Sequence, residues 1–120
     1  MRPPSLDPVV HLELHTGDRA RASDFYTRLF GWHTETVEVG HCTYVSLKLG
    51  DVIEGGIAEH DGEGSLWLPY VEVADVVEVT ERARGLGVAV MLEPREGPVG
   101  WRSILAVPSG ARVALWQPKV

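Results

Sequence analysis

The order of predicted strands and helices repeats once along the chain, and this repeat restricts the possible folds more than any other feature. Alternation of apolar and polar residues predicts a strand over 9–16, and apolar residues at helical spacing predict a helix over 19–30. Three strand-like runs follow, over 33–39, 43–49 and 52–58. The first half therefore has the order strand, helix, strand, strand, strand.

The second half shows the same order of elements. Its pattern predicts a strand over 66–73, a helix over 75–87, and strands over 88–94, 101–107 and 111–117. The predicted apolar stripes of the two helices are Ala22, Phe25, Tyr26 and Leu29, and Val76, Val79, Ala83 and Leu86. The predicted N-caps are Asp18 and Asp75, and Glu78 has the spacing of a capping box with Asp75.

Equivalent positions of the two halves can be aligned through these elements. Asp18 aligns with Asp75 at a separation of 57 residues, and Gly50 aligns with Gly110 at a separation of 60. Each half would be a small sheet with a helix on one face, so its other face needs a partner. We expect the two halves to curl around a shared hollow, which is where a small molecule would bind.

The composition narrows the class of protein. A chain of 120 residues fits one domain, and no apolar run is long enough for a membrane helix. The N-terminal "MRPPSLDP" lacks the apolar stretch of a secretory signal, so we expect a cytoplasmic protein without a membrane partner. Cys42 is the sole cysteine, which excludes an internal disulfide. The net charge is −6 and the basic residues are scattered, which argues against nucleic acid.

Three stretches in the expected order resemble the vicinal oxygen chelate superfamily, which includes glyoxalase I, extradiol dioxygenases and bleomycin-resistance proteins. They are "DRARASDFYTRLFGW" (18–32), "YVEVADVVEVTERARGLG" (70–87) and "PSGARVALWQP" (108–118). The resemblance implies a single glyoxalase-like α+β domain over 1–120. Two βαβββ modules, about 9–59 and 66–118, would form a curved, open, eight-stranded, barrel-like sheet with helices on its convex side. It also implies a homodimer.

The resemblance also implies where a metal ion would be held. Superfamily members that use a metal take ligands from the first and last strands of each half, and the matching positions here are His11, Glu54, Leu68 and Ala114. Leu68 and Ala114 have no donor atom, so two of the four positions are unable to bind a cation. We therefore expect no metal cofactor. The alternative is a partial divalent-metal site built on His11 with Glu54 or Glu13.

The first predicted strand carries His11, Glu13 and His15 on one face, because side chains alternate along a strand. Such a row could hold a metal ion, move protons or face water. We favour a polar pocket wall that continues into an exposed strand end, with His15 near solvent. We expect the remaining histidines, His33, His41 and His60, to lie on the surface.

The same alternation predicts the other residues of the hollow. Taking His11 as inward, the inward candidates for ligand binding are Glu54, Leu68, Tyr70, Arg112 and Trp116. The residues predicted to pack on the helix side are Leu12, Leu14, Trp67, Val71, Val73, Val113 and Leu115. Arg112 could meet an anionic group of a substrate or pair with a carboxylate. The aromatic residues could also be ordinary core.

Two main functions fit these residues. The first is a metal-independent protein that binds a small organic molecule, of the glyoxalase/bleomycin-resistance type. The alternative is a lyase, isomerase or hydrolase in which His11 works with Glu13 or Glu54 as an acid–base pair or a partial metal site. A third possibility is that the pocket has no role and the protein acts through a partner surface. The sequence leaves these alternatives open.

Overall fold

Eight strands and two helices follow one another in the order that the sequence repeat predicts. The computed structural model describes residues 7–39, 42–51, 53–59 and 64–119. The elements are β1 (Val9–Thr16), α1 (Arg19–Phe30), β2 (His33–Val39), β3 (Cys42–Lys48), β4 (Glu54–Glu59), β5 (Ser65–Glu72), α2 (Val76–Gly85), β6 (Ala89–Glu96), β7 (Gly100–Ala106) and β8 (Arg112–Pro118). Within the described part of the chain, no helix is long and apolar enough to cross a lipid bilayer.

The chain divides into two compact units. The first unit contains His11–Leu68, and its strands have the order β2-β3-β4-β1. The second contains residues 69–119 with residues 7–10, and its strands have the order β5-β8-β7-β6. In each unit one pair is parallel, β1 with β4 and β5 with β8, and the remaining pairs of these orders are antiparallel. The predicted α+β class, with eight strands in mixed parallel and antiparallel pairing, is confirmed.

The core of the first unit lies between its strands and α1. Its buried members are Leu14, Val45, Leu47 and Ile57, and Ala22, Tyr26 and Trp67 are among the residues that pack against them. Alpha-helical residues four positions apart lie on one side, so Ala22 and Tyr26 face the strands together. Two other members of the predicted stripe, Phe25 and Leu29, are more than half exposed, so that part of the prediction is wrong.

The core of the second unit lies between its strands and α2. Val73, Val76, Ala83, Leu105 and Leu115 are buried there, with Val71, Val79 and Val113 packed against them. The fully buried hydroxyls of Thr80 and Ser103 lie 2.8 Å apart and share a hydrogen bond. Leu86 was predicted to belong to the apolar stripe, but it is 75% exposed. The reason is that α2 ends at Gly85, so Leu86 is the cap and no longer follows the helical period.

Both predicted N-caps are confirmed. The Asp18 carboxylate accepts a hydrogen bond from Arg21 N at 3.0 Å, and the Asp75 carboxylate accepts one from Glu78 N at 3.1 Å. The Glu59 carboxylate, at the end of β4, accepts a further bond from Arg19 N at 2.9 Å. On α2, Arg82 Nη2 lies 2.8 Å from Glu78 Oε1 and forms an ion pair with it. The exposed amides at the start of α1 are thus satisfied by two carboxylates, which also favour the positive end of the helix dipole.

Replacing Asp18 by alanine is expected to lower the free energy of unfolding by about 1 kcal/mol, because the first turn of α1 loses its cap. Asp24→Ala is the matched control, since Asp24 lies on the same helix and forms an exposed pair with Arg28. That pair should contribute less than about 0.5 kcal/mol. Urea unfolding measures both variants. Equal losses in the two variants would contradict the capping role of Asp18.

Candidate functional site

The polar face of β1 is a three-residue group with a carboxylate at its centre. Glu13 Oε2 lies 3.4 Å from His11 Nε2, and Glu13 Oε1 lies 2.8 Å from His15 Nε2. Glu13 is 7% exposed, whereas both imidazoles are partly exposed. Leu14 and Thr16 belong to the opposite, buried side of the strand, as the alternation predicts. The strand therefore brings the three predicted polar side chains together, and it buries the acid between the two bases.

The two histidines determine the charge of Glu13. Burial by itself acts to raise the pKa of this carboxyl group. The hydrogen bond with His11 and the close contact with His15, with the attraction of their charges, outweigh burial and lower the pKa to about 2. Glu13 is therefore anionic at neutral pH. An anionic carboxylate only accepts hydrogen bonds, so the hydrogen bond with His11 requires a proton on His11 Nε2.

His15 reaches solvent with part of its side chain, as predicted, but one of its ring nitrogens is covered. Its side chain is 22% exposed, and its Nε2 atom is buried. His15 Nε2 lies 2.8 Å from Glu13 Oε1, within the distance of an ion pair when the imidazole is protonated, although the angle falls outside the range of a good hydrogen bond. Alternation assigned His15 to the face of Glu13 but did not show that this nitrogen atom is covered.

His11 and Glu54 are direct neighbours on the parallel strands β1 and β4. They share a face, as the sequence predicts, and Glu54 is exposed. Among the residues that the structure describes, no three or more His, Cys, Asp and Glu side chains are arranged to hold a metal ion. Leu68 and Ala114, the other two positions that the family resemblance assigns to ligands, are 1% and 0% exposed aliphatic side chains. His11 and Glu54 are thus the donors left at the four positions, and two donors do not fit a divalent metal centre.

Two of the predicted residues of the second unit lie on one face, opposite its core. Tyr70 pairs with Ala114 across β5 and β8, and Trp116 pairs with Glu72 on β5 and with Arg102 on β7. Arg102 Nη1 donates a hydrogen bond to the Tyr70 hydroxyl at 3.3 Å. The face therefore combines two aromatic side chains with a half-buried guanidinium.

Arg112 and Arg102 have different positions relative to these aromatics. Arg112 is exposed at the start of β8, four residues or about 13 Å of strand from Trp116. Arg102 is next to Trp116 in the register, and the sequence analysis did not single it out. The stretch "WRSILAV" did contain a signal for Arg102. Residues two positions apart on a strand share a face, so Ser103 and Leu105 lie together on the buried side and Arg102 lies on the other face. What the sequence lacks is the pairing of β7 with β8.

His33 is exposed, as predicted, and His41 and His60 lie outside the described residues. A cleft of about 510 Å³ occurs in the first unit, beside the start of α1. It is lined by Leu14, Thr16, Gly17, Asp18, Arg21, Ala22, Phe25, Tyr26, Gly64 and Ser65. None of the predicted site residues lines this cleft, so its geometry does not explain the polar face of β1.

The family model of the Glyoxalase/Bleomycin resistance protein/Dioxygenase superfamily matches residues 9–115. The chain belongs to this superfamily. The match includes both βαβββ runs, with their last strand up to residue 115. The resemblance inferred from the three sequence stretches is therefore confirmed.

Several named proteins are similar to this superfamily member. The provisionally named glyoxylase CFP32 of Mycobacterium tuberculosis is 32% identical over 114 residues, which cover 88% of this chain and 44% of that protein. The anthracycline biosynthesis protein DauV of Streptomyces sp. strain C5 is 27% identical over 126 residues, which cover 90% of this chain and 46% of that protein. The chain thus spans less than half of the length of these relatives.

Solved structures confirm the glyoxalase-like fold. A methylmalonyl-CoA epimerase of Streptomyces coelicolor has a TM-score of 0.68 and 21% identity, covering 97% of this chain and 100% of that chain. The hypothetical protein BH1468 of Bacillus halodurans has a TM-score of 0.70 and 13% identity, covering 94% of this chain and 95% of that chain. At these identities the likeness concerns the fold, because one fold can host many reactions.

Proposed function

We propose that this superfamily member binds a small organic molecule and does so without a metal ion. The observation that carries the proposal is the aliphatic character of Leu68 and Ala114, which are buried at two of the four positions expected to supply ligands. A divalent ion held by His11 and Glu54 alone would keep mostly water ligands and bind weakly.

The two units offer different kinds of group to a small organic molecule. In the first unit, His11, Glu13 and Glu54 offer hydrogen-bonding groups. In the second unit, Tyr70 and Trp116 offer aromatic surface, which is typical of ligand sites. The relative named for anthracycline biosynthesis agrees with a ligand of aromatic character. Leu68 of the first unit and Arg112 of the second unit remain proposed ligand contacts.

The second candidate function is a lyase, isomerase or hydrolase in which His11 moves a proton. The observation that favours it is the contact between His11 and Glu13, because a carboxylate beside an imidazole fixes its orientation and stabilises its charged form. With its pKa near 2, Glu13 stays ionised and is unsuited to exchanging protons at neutral pH. In this reaction Glu13 is therefore a positioning residue, and His11 is the catalytic acid or base.

Metal analysis of protein purified without chelators or an affinity tag tests the proposal first. We expect less than stoichiometric divalent metal in the wild type, and no change in His11→Ala. The matched control is His33→Ala, which removes an exposed histidine at the start of β2. A stoichiometric ion that is lost in His11→Ala and kept in His33→Ala would contradict metal-free binding.

A thermal-shift screen against amphipathic aromatic compounds tests ligand binding. We expect some compounds to raise the melting temperature, because a ligand that binds only the native state stabilises it. Each hit is then incubated with the protein and followed for turnover. Turnover that disappears in His11→Ala and persists in His33→Ala would replace the binding function by the enzymatic one. A screen without any stabilising compound would contradict both.

The oligomeric state and the cellular location are further proposals. We propose a homodimer in the cytoplasm, on the family resemblance and on the composition. Light scattering on the purified protein measures its mass in solution, and a monomer would contradict the dimer.

A further inference from the structure

We infer that Arg102 binds the carboxylate of an aromatic acid whose ring lies against Trp116. This inference rests on the proposed binding of a small organic molecule, and it names the chemical class of that molecule. The inference is carried by three features of the second unit: a half-buried arginine next to an aromatic ring, a second arginine directly opposite it, and the absence, among the described residues, of a carboxylate within 4.0 Å of either one.

The first feature is the fixed position of the Arg102 guanidinium. Arg102 and Trp116 face one another across the antiparallel strands β7 and β8, so their side chains are neighbours on the same face. The buried Tyr70 hydroxyl accepts a hydrogen bond from Nη1 at 3.3 Å. A guanidinium has five N–H donors in a planar fork, so this bond orients the group and leaves donors for a carboxylate.

The second feature is the pairing of two like charges. Arg95 on β6 lies directly opposite Arg102 on β7. Like charges at directly opposite positions of an antiparallel pair destabilise a sheet. A bound anion beside the two guanidinium groups would remove this repulsion, and bidentate pairing with a carboxylate would suit the arginine fork.

The third feature is that neither Arg95 nor Arg102 is paired with a carboxylate of the described residues. Within the part of the chain that the structure describes, Arg28, Arg82 and Arg84 form ion pairs with carboxylates, whereas Arg95 and Arg102 have none within 4.0 Å. Arg102 is half-buried, so its charge is partly removed from water without a protein anion. Partly buried charges usually have an opposite charge nearby, and here a ligand would supply it.

The aromatic part of the ligand follows from the position of the Trp116 ring. The site of a Cβ on Gly100 would lie 2.6 Å from Trp116 Cη2 and 2.7 Å from Trp116 Cζ2, so the ring extends over the strand position that lacks a side chain. Trp116 is half-buried, and part of its ring surface is therefore accessible. An aromatic ring can stack on this surface while its carboxylate reaches the neighbouring Arg102.

Titration with 2-naphthoate, followed by NMR, tests the inference. We expect binding in the millimolar range or tighter, with changes at the Trp116 indole N–H signal, which Trp116→Phe identifies. Arg102→Gln should weaken binding at least about tenfold, because a charge-assisted hydrogen bond is lost. Arg102→Lys should weaken it less, because it keeps the charge but lacks the planar fork. The charge-matched control, Arg82→Gln, lies on the exposed side of α2 and should bind like the wild type.

Two further probes, one neutral and one with a different anionic group, test whether the site prefers a carboxylate. We expect 2-naphthamide to bind at least about tenfold more weakly than 2-naphthoate, and 2-naphthyl phosphate to bind no more tightly than 2-naphthoate. Equal binding of the amide, tighter binding of the phosphate, or unchanged binding by Arg102→Gln would overturn the inference. If Arg102→Gln does not fold, the comparison of Arg102→Lys with Arg82→Gln decides, and equal affinities would then overturn it.

Different experimental results would contradict this inference and the proposed function. If the thermal-shift screen finds neutral or cationic ligands and 2-naphthoate does not bind, the protein is a small-molecule-binding protein and the assignment of a carboxylate is wrong. If no organic compound of any charge binds, both proposals are wrong.

Discussion

Gly100→Ala is expected to lower the free energy of unfolding by about 2–3 kcal/mol, within the range of overpacking substitutions. A Cβ at position 100 would lie 2.5 Å from the carbonyl oxygen of Gln117 and 2.6 Å from Trp116 Cη2. The first neighbour is backbone of the adjacent strand β8, so it is unable to move without disturbing the β7–β8 pairing. The Trp116 ring would have to leave its place as well.

Gly97→Ala is the matched control for Gly100→Ala. It is the first residue of the turn between β6 and β7, and the nearest atom to its added Cβ, the Gly100 carbonyl oxygen, would be at an ordinary 3.6 Å. We expect it to change the free energy of unfolding by less than about 0.5 kcal/mol. Urea unfolding with fluorescence detection measures both variants. A Gly100→Ala protein as stable as Gly97→Ala would show that the close approach of Trp116 and Gln117 is not present in solution.

Glu13→Gln is expected to remove a pH-dependent stabilisation of about 3 kcal/mol, since one pKa unit corresponds to about 1.4 kcal/mol. The pKa of Glu13 is about 2 in the folded protein, against an ordinary value of 4.5 for this carboxyl group. A carboxyl group whose pKa is lowered by folding contributes its full stabilisation above the unfolded pKa. It loses that contribution as the pH falls towards the folded pKa. The advantage of the wild type over Glu13→Gln should therefore decrease between about pH 4.5 and pH 2.

Unfolding by urea across this pH range measures the effect. Glu35→Gln is the control, because it removes the same charge from an exposed position on β2. Its difference from the wild type should be small and nearly independent of pH. A constant difference between the wild type and Glu13→Gln from neutral pH to pH 2 would mean that His11 and His15 do not hold the carboxylate in its charged form.

Local patterns of the sequence predicted most of the fold. The bounds of β1, α1 and β2 agree with the predicted ranges, and the other elements begin and end within about two residues of them. Asp18 and Asp75 were recognised as caps because capping depends on residues within one turn of the helix. The division of Trp67, Val71, Val73 and Leu115 from Tyr70 and Trp116 followed from alternation alone.

Burial depth was where these local patterns were insufficient. Phe25 and Leu29 have helical spacing, yet both are exposed, because a short helix contacts its sheet along a narrower stripe than its apolar residues occupy. Leu86 is exposed because α2 ends one residue before it. The burial of His15 Nε2 was not predicted either, because the residues that cover a strand come from distant parts of the chain. The shared hollow and the module bounds of about 9–59 and 66–118 stay predictions.

The amino-acid sequence by itself determined the repeated order of elements, the helix caps, the face of β1 that carries His11, Glu13 and His15, and the absence of donor atoms at Leu68 and Ala114. These are properties of residue type and of spacing along one segment. The tertiary structure alone decided that Glu13 is buried between two imidazoles, and that Arg102 is the arginine next to Trp116. Both depend on burial and strand register, which arise only when distant segments pair.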